Sequence, residues 1–190
     1  HEKAAVDRVG RLVAEECRRL GAQVEVHKQS IAGDQIEARF FPSPTYKEGG
    51  KNSAENRSGK ILLLCHMDTV FPLGTLEKMP FYEKDGKIFG PGASDMKGGI
   101  VVALAALAAT IEAGELPRPV IALFTSDEES GSRTSRPLIE KLSKESRLVL
   151  VLEPGMLDGS VKTWRKGVGG FTVTVLGRAA HAGGDHEQGR

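Results

Sequence analysis

The stretch Ile61-Leu62-Leu63-Leu64-Cys65 runs without a polar residue straight into His66-Met67-Asp68. Side chains alternate between the two faces of a strand, so a continuous apolar run of this length predicts a strand covered on both sides. Residues 120–125 and 148–152 repeat the pattern and are expected to be two more buried strands. Residues 97–113, apolar almost all round, predict a buried helix that Gly114 can end. Ser135, with Pro137 in the first turn, predicts the capped start of a short helix. Buried strands separated by helices indicate an α/β fold: a mostly parallel sheet flanked by helices.

Outward from this core, Val6, Val9, Val13, Cys17 and Leu20 fall at helical spacing before Gly21, which predicts an amphipathic first helix. Val24 and Val26, then Ile36, Ala38 and Phe40, alternate with polar residues as strands do. Residues 42–59 are rich in Gly, Ser, Pro and Asn and predict a surface loop, and residues 81–89 predict a hairpin around Asp85-Gly86. After Glu153 the texture changes. Residues 161–166 and 171–176 alternate, which suits antiparallel strands with one wet face, and a domain boundary is expected between Trp164 and Gly167. The expected division is a catalytic domain over residues 1–164 and the opening of a smaller α+β domain over 165–190.

With 190 residues, one full domain and part of a second are expected. The chain begins with His1 and stops at Gln188-Gly189-Arg190 without a closing element, so it reads as a piece of a longer protein. Lys and Arg total 26 against 25 Asp and Glu, which gives no field for nucleic acid or for an anionic membrane surface. The longest apolar run, residues 100–109, falls short of the roughly 20 residues that a spanning helix needs. Two cysteines in apolar patterns, Cys17 and Cys65, predict buried reduced thiols. The expected compartment is the cytoplasm, with export left open.

In open α/β sheets, ligands bind beyond the carboxyl ends of the strands. One predicted strand ends at His66-Met67-Asp68, another at Asp127-Glu128-Glu129, and the third at Glu153-Pro154. Asp95 sits in the glycine-rich turn at residues 90–99 that opens the apolar helix. Topology therefore directs one imidazole and several carboxylates to the same rim. Carboxylates crowded into a partly buried cleft cannot all stay ionised without a cation. A mixed histidine and carboxylate set suits zinc, with cobalt or manganese as lesser alternatives, better than calcium or magnesium. Such an ion lowers the pKa of water from 15.7 to about 7, which makes hydrolysis the natural chemistry.

Each motif alone has a plainer explanation. His-x-Asp is common by chance, Glu128-Glu129 fits a solvated loop, Asp95 fits a helix cap, and Glu153 fits a strand end. The glycine-rich turn lacks the order of a nucleotide cradle. His181, in Ala179-Ala180-His181-Ala182-Gly183-Gly184, is by itself a loop histidine. The combination carries the weight.

Taken in order, His66-Met67-Asp68-Thr69-Val70, residues 90–99, Thr125-Ser126-Asp127-Glu128-Glu129, Leu152-Glu153-Pro154 and residues 177–183 resemble the aminoacylase and carboxypeptidase group of co-catalytic zinc peptidases. The likeness is nearest to glutamate carboxypeptidases of the bacterial folate-cleaving type. The resemblance implies two zinc ions. His66 and Glu153 would bind one, Asp95 would bridge both, and Glu129 would bind the other. It implies Glu128 as general base and Asp68 as the residue that orients His66. It implies a cis bond after Asp95, and a lid histidine, His181, on a substrate carbonyl. The substrate would be a peptide or an N-acyl amino acid, and the assembly a homodimer formed through the lid domain.

Two departures stand out. The family takes a last zinc ligand from a histidine far downstream, beyond this chain, so the piece on its own is expected to be inactive. Position 96 is Met where relatives often carry Asp. Deacylation of N-acyl amino acids, or a non-catalytic metal-binding module, are the competing expectations.

Overall fold

The computed structural model describes residues 2–42, 59–174 and 176–189. They fall into two units, His1–Pro154 and Gly155–Arg190. In chain order the first unit holds α1 (Lys3–Arg19), β1 (Gln23–His27), β2 (Gln35–Phe40), β3 (Lys60–His66), α2 (Thr75–Lys78), β4 (Tyr82–Lys84) and β5 (Lys87–Phe89). Next along the chain are α3 (Gly98–Glu112), β6 (Val120–Thr125), α4 (Arg136–Lys144) and β7 (Ser146–Val151). The predicted loop at 42–59 lies outside the described residues apart from its two ends.

Five strands form one sheet in the order β1-β2-β6-β3-β7. β6 and β7 both pair with β3 in parallel, while β2 runs antiparallel to β6 and to β1. Four strands therefore share one direction and only β2 is reversed. The alternation in β3 and β6 sorts the core into two layers. Ile61, Leu63, Cys65, Val120, Ala122 and Phe124 pack with α1 and α3, through Val13, Cys17, Ile100, Ala103 and Leu107. Leu62, Leu64, Ile121 and Leu123 pack on the other side with Leu138, Ile139 and Leu142 of α4. Both faces of β3 and β6 are covered, which is why their sequences carry no polar alternation. The hairpin β4–β5 turns at Asp85 and Gly86, both with positive φ, 52° and 69°. That is the backbone of a two-residue primed turn.

Four local expectations need correction. β7 is not buried: residues 148–151 are exposed, because β7 is an outer strand with β3 as its one ladder partner among the described residues. Helix α3 is covered on one face only, with Val101 and Val102 facing outward. Ser135 stands at the start of α4, but its hydroxyl makes no capping hydrogen bond. Residues 161–166 and 171–174 form no ladder with any described residue. Alternation says which side of a strand would be wet, but a strand forms only where a neighbour takes its backbone groups. The second unit instead holds a turn closed by Met156 N–H on Ser160 O and a single helical turn, His186–Gln188. The first unit ends at Pro154, ahead of the expected boundary.

One stretch, residues 93–112, matches a membrane span by length and composition. It bends at Asp95 and Met96, and its regular part is the 15-residue α3, which packs on the sheet through Ile100, Ala103 and Leu107.

The start of α1 is tied to the β1–β2 connection by Asp34. This carboxylate accepts from Lys3 Nζ and Lys28 Nζ, both at 2.7 Å, and from Gln29 N–H at 3.1 Å. Burial alone would raise its pKa, but these hydrogen bonds hold it well below the usual carboxylate range. A depressed folded-state pKa gives stability that is complete above the unfolded value, near 4, and is lost as pH falls below it. Asp34→Asn should therefore cost about 1–3 kcal/mol at neutral pH. Urea unfolding should show the gap to the parent narrowing steadily below pH about 4; a gap independent of pH would contradict the assignment.

Candidate metal centre

Three adjacent strand ends and one turn deliver the polar cluster. His66 closes β3, and its backbone N–H donates to Met96 Sδ at 3.0 Å. Its imidazole is 2% exposed. Nε2 lies 3.0 Å from Asp95 Oδ1 and 3.2 Å from Glu153 Oε1. Nδ1 faces Asp68, 3.2 Å from its backbone oxygen and 3.4 Å from Oδ1. A hydrogen bond on one ring nitrogen sets which nitrogen is free for a metal, and here Nε2 is the one turned to the carboxylates.

Asp95 comes from a wide turn in which Lys97 N–H donates to Gly92 O at 3.0 Å. The Asp95-Met96 bond is cis, as the resemblance implies. The plainer reading of Asp95 as a helix cap fails, since no side chain caps the start of α3. Glu128 and Glu129 follow β6 after Ser126 and Asp127, and their backbone N–H groups donate to Asp68 Oδ1 and Oδ2 at 3.3 and 3.1 Å. Glu153 lies just past β7, where Leu152 N–H donates to Leu64 O at 3.1 Å. Ligand-competent atoms of His66, Asp95 and Glu129 lie within 4.8 Å of one another, and so do those of His66, Glu128 and Glu153. Asp95, Glu128, Glu129 and Glu153 thus meet around the imidazole of His66. His181 belongs to the second unit, where its Nδ1 accepts from Gly183 N–H at 3.1 Å.

Charge decides what the cluster can hold. Five carboxylates, counting Asp68, face one imidazole and the half-buried ammonium of Lys97, which donates to Met67 O at 3.1 Å. Burial would push His66 down, but the hydrogen bonds to Asp68 and Asp95 and the charges of Asp68 and Glu153 outweigh it and raise it to about 9. Burial raises Glu128, and the negative neighbours Glu129, Asp68 and Asp95 add to that against the opposing pull of His66. Burial likewise raises Glu153, with Asp95 and Glu128 adding to it. Such a set is relieved by a cation, and one nitrogen with several carboxylate oxygens is a donor set that zinc accepts. The residues present fit a divalent metal.

Sequence reasoning passes over several residues that shape this cluster. Met96 and Lys97 read only as parts of a turn and a helix. Gly99 carries a signal, because a Gly-Gly pair at a helix start is costly unless something approaches closely. A Cβ at Gly99 would overlap the backbone oxygen of Leu152.

Residues 62–182 match the family model described as Peptidase family M20/M25/M40. The chain belongs to this family. It is 35% identical to carboxypeptidase G2 of Pseudomonas sp. over 184 residues, which cover 95% of this chain and 41% of that protein. It is 31% identical to an acetylornithine deacetylase of Salmonella arizonae over 156 residues, which cover 80% of this chain and 40% of that one. The chain thus spans about two fifths of these relatives. Among solved structures, human carnosine dipeptidase 1 superposes with a TM-score of 0.62 at 21% identity, over 80% of this chain and 33% of that one. An M20 family metallo-carboxypeptidase of Sulfolobus solfataricus has the same score and identity, over 81% and 34%. These two likenesses show that the chain shares their fold.

Because Gly99 lets α3 abut the residue before Glu153, Gly99→Ala should push Glu153 away from His66. Metal affinity should then fall by about 10- to 100-fold, the range seen when support of a metal ligand is lost. Equilibrium dialysis against chelator-buffered zinc measures this. Parent-like affinity would show that the abutment does not position Glu153.

Proposed function

We propose that the protein is a metal-dependent amide hydrolase, a carboxypeptidase-like exopeptidase that cleaves a peptide bond beside a free carboxylate. The observation that carries this reading is the convergence of His66, Asp95, Glu128, Glu129 and Glu153 from separate elements, in a chain of the M20 family. His66, Asp95 and Glu153 would hold one zinc, and Asp95 and Glu129 a second, with cobalt or manganese as alternatives. When bound, such ions polarise an amide carbonyl and bring the pKa of water toward neutrality.

The chain's own groups do the rest. Glu128, its pKa raised by burial, takes a proton from the attacking water and passes it to the leaving amine nitrogen. Asp68 fixes the tautomer of His66 at Nδ1 and holds the backbone of Glu128 and Glu129 in register. His181 is proposed to contact a substrate carbonyl, and the assembly to be a homodimer formed through the lid domain; both rest on the family resemblance. The buried free thiols of Cys17 and Cys65 suit the reducing cytoplasm, the proposed compartment.

A second reading, deacylation of N-acyl amino acids, is favoured by the 31% identity to acetylornithine deacetylase and to a succinyl-diaminopimelate desuccinylase of Shewanella loihica. Rates on a panel of dipeptides and N-acyl amino acids separate the two. The exopeptidase reading expects higher kcat/KM on the dipeptides, and the reverse order assigns the deacylase.

In the intact protein, Glu128→Gln should lower kcat by about 10²–10⁴-fold, the usual contribution of a general base, while metal content is retained. Turnover near the parent rate would remove Glu128 from that role. Glu129→Gln should instead lose bound metal, as elemental analysis would show.

A further inference from the structure

We propose that Thr134 and Gln35 are positioning residues that set the loop carrying Glu128 and Glu129, and through it the metal affinity of the site. The inference rests on the reading of Glu128 as base and Glu129 as ligand. Two adjacent glutamates have to project toward other carboxylates, so their direction depends on a backbone that mutual repulsion cannot open. Hydrogen bonds on both sides of the loop provide that backbone.

On the near side, Asp68 accepts the N–H groups of both glutamates. The far side is closed by Asp127, a residue only 3% exposed. Its Oδ2 accepts Thr134 N–H at 2.6 Å, Thr134 Oγ1 at 2.9 Å and Ser135 N–H at 3.3 Å. Its backbone oxygen accepts Ser132 N–H at 2.7 Å. Beyond the end of β6 the chain thus runs from Asp127 through both glutamates and returns to the same carboxylate. Oδ1, although buried, has no partner among the described residues. The side-chain part of the far-side closure therefore rests on Oδ2, the edge of Asp127 that Thr134 and Ser135 meet.

The direction of the hydrogen bonds is fixed by elimination. Ser126 N–H can only donate, and it meets Gln35 Oε1 at 2.9 Å, so the Gln35 amide nitrogen is the atom 2.9 Å from Thr134 Oγ1. Thr134 has one hydroxyl proton. Accepting from Gln35 leaves that proton for Asp127. The result is a one-way chain, Gln35 to Thr134 to Asp127, ending on a carboxylate, where such bonds are strongest. Gln35 is 1% exposed and lies on β2, more than ninety residues before the loop it holds. None of the three side chains belongs to the groups of ligand-competent atoms around His66. Their influence passes through the loop backbone.

The test uses the intact protein with cobalt(II) as the probe, read by visible absorption and by competition with a chelator. Thr134→Val and Thr134→Ala both remove the hydroxyl, and the alanine variant adds no strain from packing. Both should weaken cobalt(II) binding by about 10- to 100-fold and alter its absorption bands, with the metal-free protein still folded but melting somewhat below the parent because the buried Gln35 amide loses its acceptor. Thr134→Ser should restore affinity and spectrum. Parent-like cobalt binding and spectra in both hydroxyl-deleted variants, or failure of serine to rescue, would overturn the proposal. Glu129→Gln is measured alongside. If it binds cobalt(II) like the parent, the ligand reading falls, and with it the route by which Thr134 acts. If Glu129→Gln loses cobalt(II) while Thr134→Val keeps it, only the clamp is refuted.

Discussion

The carboxylate of Asp68 is the interaction on which the site depends. It lies two residues past His66, the last residue of β3, buried, and touches two other parts of the site at once. One edge faces His66 Nδ1, and both of its oxygens accept the backbone of the loop beyond β6. A neutral side chain there would weaken the hold on the acidic loop and leave the imidazole with the backbone oxygen of residue 68 alone. A negative charge buried at this point raises the cost of every neighbouring carboxylate, so the same residue that organises the cluster also makes it demand a cation.

Sheet order makes this economy of parts workable. β6, β3 and β7 are neighbours and parallel, and adjacent strands lie about 4.8 Å apart. Residues leaving three such strands in the same direction emerge side by side, at the spacing that ligands of one or two ions need. The chain passes from β6 to β7 across β3, with α3 on one face and α4 on the other. That reversal opens the crevice at the carboxyl ends. The fourth contributor, Asp95, enters from the turn that begins α3, which is pressed against the exit of β7 at Gly99.

Much of this is legible in the sequence, for a physical reason. Strands covered on both faces leave uninterrupted apolar runs, and in an α/β sheet the residues at the carboxyl end of such a run sit at the ligand rim. His66, Glu128, Glu129 and Glu153 emerge by that logic, and Asp95 by its glycine-rich turn. The failures share another cause. Residues 148–152 are as apolar as residues 61–65, and composition cannot say that one run has neighbours on both sides and the other on one. Residues 161–176 alternate, but pairing partners are a property of the fold. Gln35 alternates with apolar residues and so looks solvated, yet β2 is covered on its polar face as well. Its partners lie more than ninety residues away, at a distance no local pattern reports.

The outer edge of β7 has a bearing on handling. Leu148, Val149, Leu150 and Val151 present apolar side chains on both faces of a strand that, among the described residues, has a ladder neighbour on one side only. Charged gatekeepers are lacking along these four positions, and a bare strand edge of this kind templates the addition of another. Among the described residues that edge stays open, so the 190-residue polypeptide on its own offers a pairing site to a further strand, and its handling calls for dilute solution.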